Sequence, residues 1–170
     1  MHPIARTSIE IIEQGQAYLH NVSNANYTQI VEPYFISSCG GHMRHIIDHF
    51  SALQTAGASQ KVNYDARARG SEIELHPDKA LKRLNDIAQW LGTLNDTQLR
   101  ATVEVSSEIS VSTQTIERTN STLGRELLFA GSHAIHHYSM IAIAARIQGD
   151  NVDAVFGIAP ATATYLRQHS

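Results

Sequence analysis

Apolar residues recur along most of the chain at helical spacing, and four long stretches carry the pattern. In residues 4–20 the stripe is Ile4, Ile9, Ile11, Ile12 and Leu19, with Ser8 and the acidic residues after it on the face toward water. Residues 21–26, rich in Asn and Ser, break the pattern. A second helix is expected over residues 38–55, with Met43, Ile46, Ile47, Phe50 and Leu53 on its apolar side. Ser37 or Ser38 can cap it, and Gly57 is its expected stop. Gly40 and Gly41 fall in its first turn, a place where another backbone can come close. Residues 58–76 read as a polar crossing segment, with extended pieces at 61–66 and 72–75. A third helix opens at Pro77, where a missing N–H is tolerated, and runs to Leu91 before Gly92. Residues 101–106 and 110–116 switch to an alternating, Val- and Thr-rich pattern, predicting a β-hairpin that turns near residues 107–109. The longest helix is expected over residues 121–148, capped by Asn120, Ser121 or Thr122 and stopped by Gly149. A short apolar run over residues 152–158 follows, and Pro160 opens a last turn or two. The fold class this predicts is all-α, a four-helix bundle with a long crossover and a small β-hairpin between the third and fourth helices. Residues 1–170 are expected to form a single domain.

Composition narrows the partners. The chain has 170 residues, 42% hydrophobic and 17% charged, the profile of a globular protein. Lys and Arg total 13 against 16 Asp and Glu, a net charge of −3, so neither nucleic acid nor an anionic membrane surface is the expected partner. The apolar run at residues 140–145 is too short to span a bilayer. A lone cysteine, Cys39, forms no internal disulfide, and the expected location is the cytoplasm.

Histidine is the residue type that changes the picture. There are ten, and six of them sit in two clusters, His42, His45 and His49, then His133, His136 and His137. His133 and His137 are four residues apart on a helix, a turn of about 400°, so one imidazole lies above the other. Two imidazoles so placed can hold one metal ion, as in HExxH zinc sites. His136 points aside, toward a neighbour or water. A further ligand must come from elsewhere, and His42, His45 and His49 share one face of the second helix at i, i+3 and i+7. Any of them could face the fourth helix, with His45 central. Three neutral imidazoles would leave a fourth position open, as in catalytic zinc sites. All-nitrogen ligation suits zinc first, with nickel, iron or copper as alternatives. Histidines on a helix face also serve as hydrogen-bonded or interface residues. A di-iron carboxylate site is disfavoured, because no Glu lies three residues before any of the clustered histidines.

Three segments carry a resemblance. GGHMRHIIDHF (residues 40–50), RELLFAGSHAIHHYSMI (125–141) and FGIAPATATYLRQ (156–168) resemble the DinB/YfiT-like superfamily, over essentially the whole chain. The resemblance implies a four-helix bundle with a long crossover and a divalent metal held by His45, His133 and His137, with His49 in reserve for the first of these. It also implies a metal-dependent enzyme of thiol S-transferase or hydrolase type, acting on a small molecule and using a low-molecular-weight thiol. The competing expectation is a non-catalytic metal-binding module, or one that forms homodimers. The chain departs from the commoner HHRGQ pattern with HHYSM at residues 136–140, so it lacks that Arg and Gln.

Further candidates surround the histidines. Glu126 lies two turns before His133 and could orient an imidazole or act as a base. Asp48 could do the same for His45. Tyr64, Asp65, Arg67 and Arg69 form a polar cluster in the crossing segment, and Tyr64 and Arg67 join Glu126 as catalytic candidates. Arg44 and Arg125 could attract an anionic substrate. Cys39 stands where a helix N-terminus would lower its pKa, though a buried, inert cysteine is expected. Gly157 and Pro160 are expected to shape the turn after the last long helix.

Overall fold

The computed structural model describes residues 1–169. Four long helices build its body: α1 (Pro3–Asn21), α3 (Cys39–Ser59), α5 (Pro77–Thr93) and α7 (Leu123–Ile147). Short helices α2 (Asn24–Thr28), α4 (Glu72–Leu75) and α6 (Asp96–Arg100) lie in the connections, and α8 (Pro160–His169) follows the body. Helix α1 packs on α5 and α7, and α3 packs on the same two. The apolar stripes meet in one core that includes Ile12, Met43, Ile47, Phe50, Leu84, Ile87, Leu127 and Ile141. At 25 residues, α7 is about 37 Å long, enough to run the length of that core.

The caps explain most helix starts. Ser38 Oγ accepts from Gly41 N–H at 3.1 Å and opens α3, while Thr122 accepts from Arg125 N–H at 3.2 Å and opens α7. Pro77 stands at the start of α5. Ser8, expected on the wet face, is instead buried, its hydroxyl donating to the Ile4 carbonyl at 2.8 Å. Neither Gly57 nor Gly92 ends its helix. Helix α3 continues to Ser59 and stops where Gln60 turns left-handed at φ 57°, and α5 continues to Thr93. An interior glycine weakens a helix by only about 1 kcal/mol, which packing on either side overrides.

The hairpin is part of a three-stranded sheet. Strands β2 (Thr102–Glu108) and β3 (Ile116–Thr122) pair antiparallel, with Thr102 opposite Thr122 and Glu108 opposite Ile116. The turn is therefore wider than expected, and residues 110–115 belong to it. Strand β1 (Lys61–Asn63) adds to β2 in parallel, so the crossing segment is tied to the sheet. Val62, Val103 and Val105 turn inward to the core, so the sheet packs on the helices. The expected extended piece at residues 72–75 is a helical turn, α4.

Two glycines set close approaches. A Cβ on Gly40 would stand 2.1 Å from the Glu74 carbonyl oxygen, so the first turn of α3 can press against α4 only without a side chain. Gly157 has φ +75°, and a Cβ there would stand 2.4 Å from Ser139 N on α7. The Ser139 hydroxyl donates to the Gly157 carbonyl, and Phe156 beside it stacks on Tyr18 at 5.5 Å between centroids. This glycine folds the chain back onto α7. Gly157→Ala adds strain and a clash together and should lower stability by at least about 2 kcal/mol. Chemical denaturation would measure it; an unchanged midpoint would contradict this account of the turn.

Candidate metal centre

The packing of α3 on α7 brings the two histidine clusters face to face. His133 Nε2 lies 2.9 Å from His45 Nε2 and 3.2 Å from His137 Nε2. Nitrogens bound to one tetrahedral zinc at 2.0–2.1 Å stand about 3.3 Å apart. His133 Nε2 is thus already as near to each of the other two as a co-ligand would be. One donor atom each of His45, His49 and His133 also lie within 4.8 Å of one another, close enough to hold a metal ion. His45 and His133 are common to both groupings, and the further place falls to His137 or His49.

The outer nitrogens fix which atoms face the centre. His49 Nδ1 is 3.0 Å from the His45 carbonyl oxygen. A carbonyl only accepts, so Nδ1 carries the proton and Nε2 keeps its lone pair. His42 Nδ1 lies 2.9 Å from His137 Nδ1. If His137 donates there, its Nε2 lone pair is turned to the centre and His42 is the residue that orients it. His42 Nε2 and His45 Nδ1 are buried and have no hydrogen-bond partner among the described residues. His136 is exposed, as expected, with its ring 5.1 Å from that of His137.

Burial, and after it crowding by the neighbouring rings, keeps the imidazoles neutral. Burial, then the neighbouring His49 and His137, holds His45 down to about 2. Burial, then His49 and His136, holds His133 at about 4, and burial, then His133 and His42, holds His137 at about 3. Burial lowers His42 and His49 as well. Arg67 is exposed, yet its positive charge adds to the lowering of His45, His49 and His133. A cluster of neutral nitrogen donors fits a borderline divalent metal without prior deprotonation.

The other sequence candidates take different places. Glu126 is buried, and its hydrogen bonds go to residues other than the histidines. Its Oε2 accepts from Tyr64 OH at 2.7 Å, and its Oε1 accepts from Ser121 Oγ at 2.6 Å and Arg125 Nη1 at 3.3 Å. Tyr64 reaches the cluster by its ring, stacked on His49 at 4.8 Å and 19°. Burial, then the bond to Glu126, raises its phenol well above the ordinary range. Asp48 does not orient His45; it pairs with Arg44 Nη1 at 2.8 Å, and Glu74 takes Arg44 Nε at 2.7 Å. Arg44 is therefore occupied in tying α3 to α4 rather than presented to a substrate. Arg125 lies over the Phe129 ring at 5.8 Å. Asp65 accepts from Glu108 N–H at 2.7 Å, fastening the crossing segment to β2, and Arg69 is exposed. Cys39 is buried, and burial raises its thiol despite the helix start. A groove of about 810 Å³ lies between α1 and residues 150–156 and contains none of the clustered histidines. Phe129, which stacks on His133 at 5.8 Å and 14°, was not anticipated; its place one turn before His133 was the available signal.

Comparison with known proteins agrees with this fold. A crystal structure of a DinB-like protein of Bacillus subtilis, YjoA, matches 88% of this chain and 94% of its own, with TM-score 0.63 and 14% identity. The chain has the DinB-like fold, mostly helical with a small three-stranded sheet. A protein of Rhizopus delemar named FK506-binding protein 5 is 30% identical over 107 residues, which is 63% of this chain. The chain spans 28% of that relative's length. No family model matches the chain. Among the described residues, no helix is long and apolar enough to cross a membrane.

Two outcomes test the site's electrostatics and support. In metal-free protein the histidines bind protons more weakly when folded than at their unfolded value near 6.5. Below that pH the unfolded chain binds more protons, so stability should fall as pH drops from about 6.5 toward 4 and be level above about 7.5. Denaturation midpoints of wild type and His45→Gln across that range would show it, the variant falling less steeply; equal slopes would contradict the assignment. Tyr64→Phe leaves a buried carboxylate short of a donor and should lower stability by about 1.5–3 kcal/mol. The same variant should keep the metal stoichiometry of wild type, which elemental analysis would check.

Proposed function

We propose that this chain is a divalent-metal protein whose ion is held by His45, His133 and His137, and that it works as a metal-dependent enzyme. The observation that carries the reading is the position of His133 Nε2, 2.9 Å from His45 Nε2 and 3.2 Å from His137 Nε2. Three helix-borne imidazoles at that spacing suit one ion better than a hydrogen-bond chain, since a single His133 nitrogen faces two others. Zinc is the first choice for the ion. When bound, such an ion supplies Lewis acidity, making a water or thiol beside it more acidic near neutral pH. The four-helix bundle with a long crossover, in one domain, is the frame we assign to it.

The chain's own residues set what can happen around that position. His42 orients His137 through Nδ1. Phe129 and Tyr64 flank the cluster with aromatic faces at 5.8 Å from His133 and 4.8 Å from His49. Arg67 places a positive charge near the cluster and suits a substrate or thiol with an anionic group. Thiol transfer or hydrolysis of a small molecule is the reaction class this favours, with the thiol or water as nucleophile.

One observation favours a second reading, a non-catalytic metal-holding module. Glu126, the buried carboxylate near the cluster, is fully engaged by Tyr64, Ser121 and Arg125, so it is not poised as a base. A thiol-transfer and hydrolysis screen with the reloaded protein separates the two. Turnover supports the enzyme; metal uptake with no turnover on any model electrophile supports the module.

Metal stripping and reloading with zinc tests the site itself. Wild type should take up about one ion per chain, while His45→Ala and His133→Ala should lose it. His42→Ala should weaken binding by about 10–100-fold, as removal of an orienting partner does. Full occupancy in both ligand variants would overturn the three-histidine site.

A further inference from the structure

Resting on the metal reading just given, we propose that His49 is a fourth nitrogen ligand, which closes the remaining coordination position until a substrate donor displaces it. A grouping of donor atoms that includes this residue is present: those of His45, His49 and His133 lie within 4.8 Å of one another. Its ring centroid is 4.4 Å from that of His133 and 4.5 Å from that of His45. His49 therefore sits against the two histidines common to both groupings.

Its chemistry is that of a prepared ligand. The Nδ1 proton is committed to the His45 carbonyl, one turn earlier on the same helix, so Nε2 is the lone-pair nitrogen. An outer hydrogen bond of this kind fixes both tautomer and ring orientation in metal-bound histidines. The ring is also held on its face by Tyr64, stacked at 4.8 Å, and Tyr64 is itself pinned by its hydroxyl to the buried Glu126. At 5% exposure, His49 has surrendered nearly all its contact with water. This support gives Glu126 and Tyr64 a purpose that neither has as an acid or base: they position His49.

Four imidazoles complete a tetrahedral shell, the arrangement of closed rather than open sites. In wild-type protein an external donor must then compete with His49, whereas a variant lacking that imidazole offers the position to solvent. His49 is the one to leave, because its ring is anchored from outside the cluster, by Tyr64 and the His45 carbonyl, whereas His133 Nε2 stands nitrogen to nitrogen with His45 and His137 at 2.9 and 3.2 Å.

X-ray absorption on zinc-loaded, full-length protein counts the imidazoles, and cobalt substitution reports the shell through its visible spectrum. Wild type should show four imidazoles and His49→Gln three plus an oxygen donor. Azide, added to the cobalt protein, should bind His49→Gln at least about tenfold more tightly than wild type. Tyr64→Leu, which removes the stacking ring, should move the azide affinity in the same direction. Three imidazoles in wild type, with azide affinity unmoved by His49→Gln, would overturn the inference and leave the three-histidine site standing. Absence of metal uptake would overturn both. If His49→Gln fails to fold, the wild-type count decides alone: four supports the inference and three overturns it.

Discussion

Buried imidazole nitrogens need partners, and the contact between α3 and α7 brings five imidazole rings together, His42 and His49 buried and the other three half-buried. His45 and His49 from α3 meet His133 and His137 from α7, with His42 behind His137. An unpaired buried polar nitrogen is costly, and protonation is costlier still in such crowding. The rings respond by staying neutral, held down to about 2 at His45 and about 3 at His137. Neutral nitrogens turned toward one another, His133 Nε2 facing those of both His45 and His137, describe a set of donors that a shared cation would satisfy.

Much of the remaining structure holds that contact in register. Arg44, buried between Asp48 and Glu74, fixes the outer side of α3 to α4, and Gly40 lets the two backbones meet. On the other side the crossing segment delivers Tyr64, whose ring backs His49 and whose hydroxyl reaches Glu126 on α7. Strand β1 carries the chain just before Tyr64 into the sheet, and Asp65 bonds to β2 just after it. Sheet, crossing segment and helices therefore converge on one aromatic residue behind one histidine.

The sequence revealed the parts that depend on local period and spacing. The four long helices were visible in their apolar stripes, and the pair His133 and His137 in its separation of four. The facing of His45 against His49 was not legible, since both lie on one side of α3 and only the rotation and depth of helix packing rank them. Glu126 looked like a partner for His133 because they share a stripe on α7. Its true partner, Tyr64, is 62 residues away in sequence and arrives through the sheet. Helix α6 was overlooked although Asn95 and Gln98 form a capping box, because five residues are too few to show a period. The polar strand IERTNST, with no buried residue, gave no alternation to read, so its start was placed too early.

One divalent ion is proposed between α3 and α7 among these nitrogens. Anomalous diffraction at the zinc edge, from crystals of the zinc-loaded protein, tests it most directly. The account predicts a single peak per chain within bonding distance of His133 Nε2 and His45 Nε2. No peak there, with zinc bound elsewhere or not at all, would contradict it.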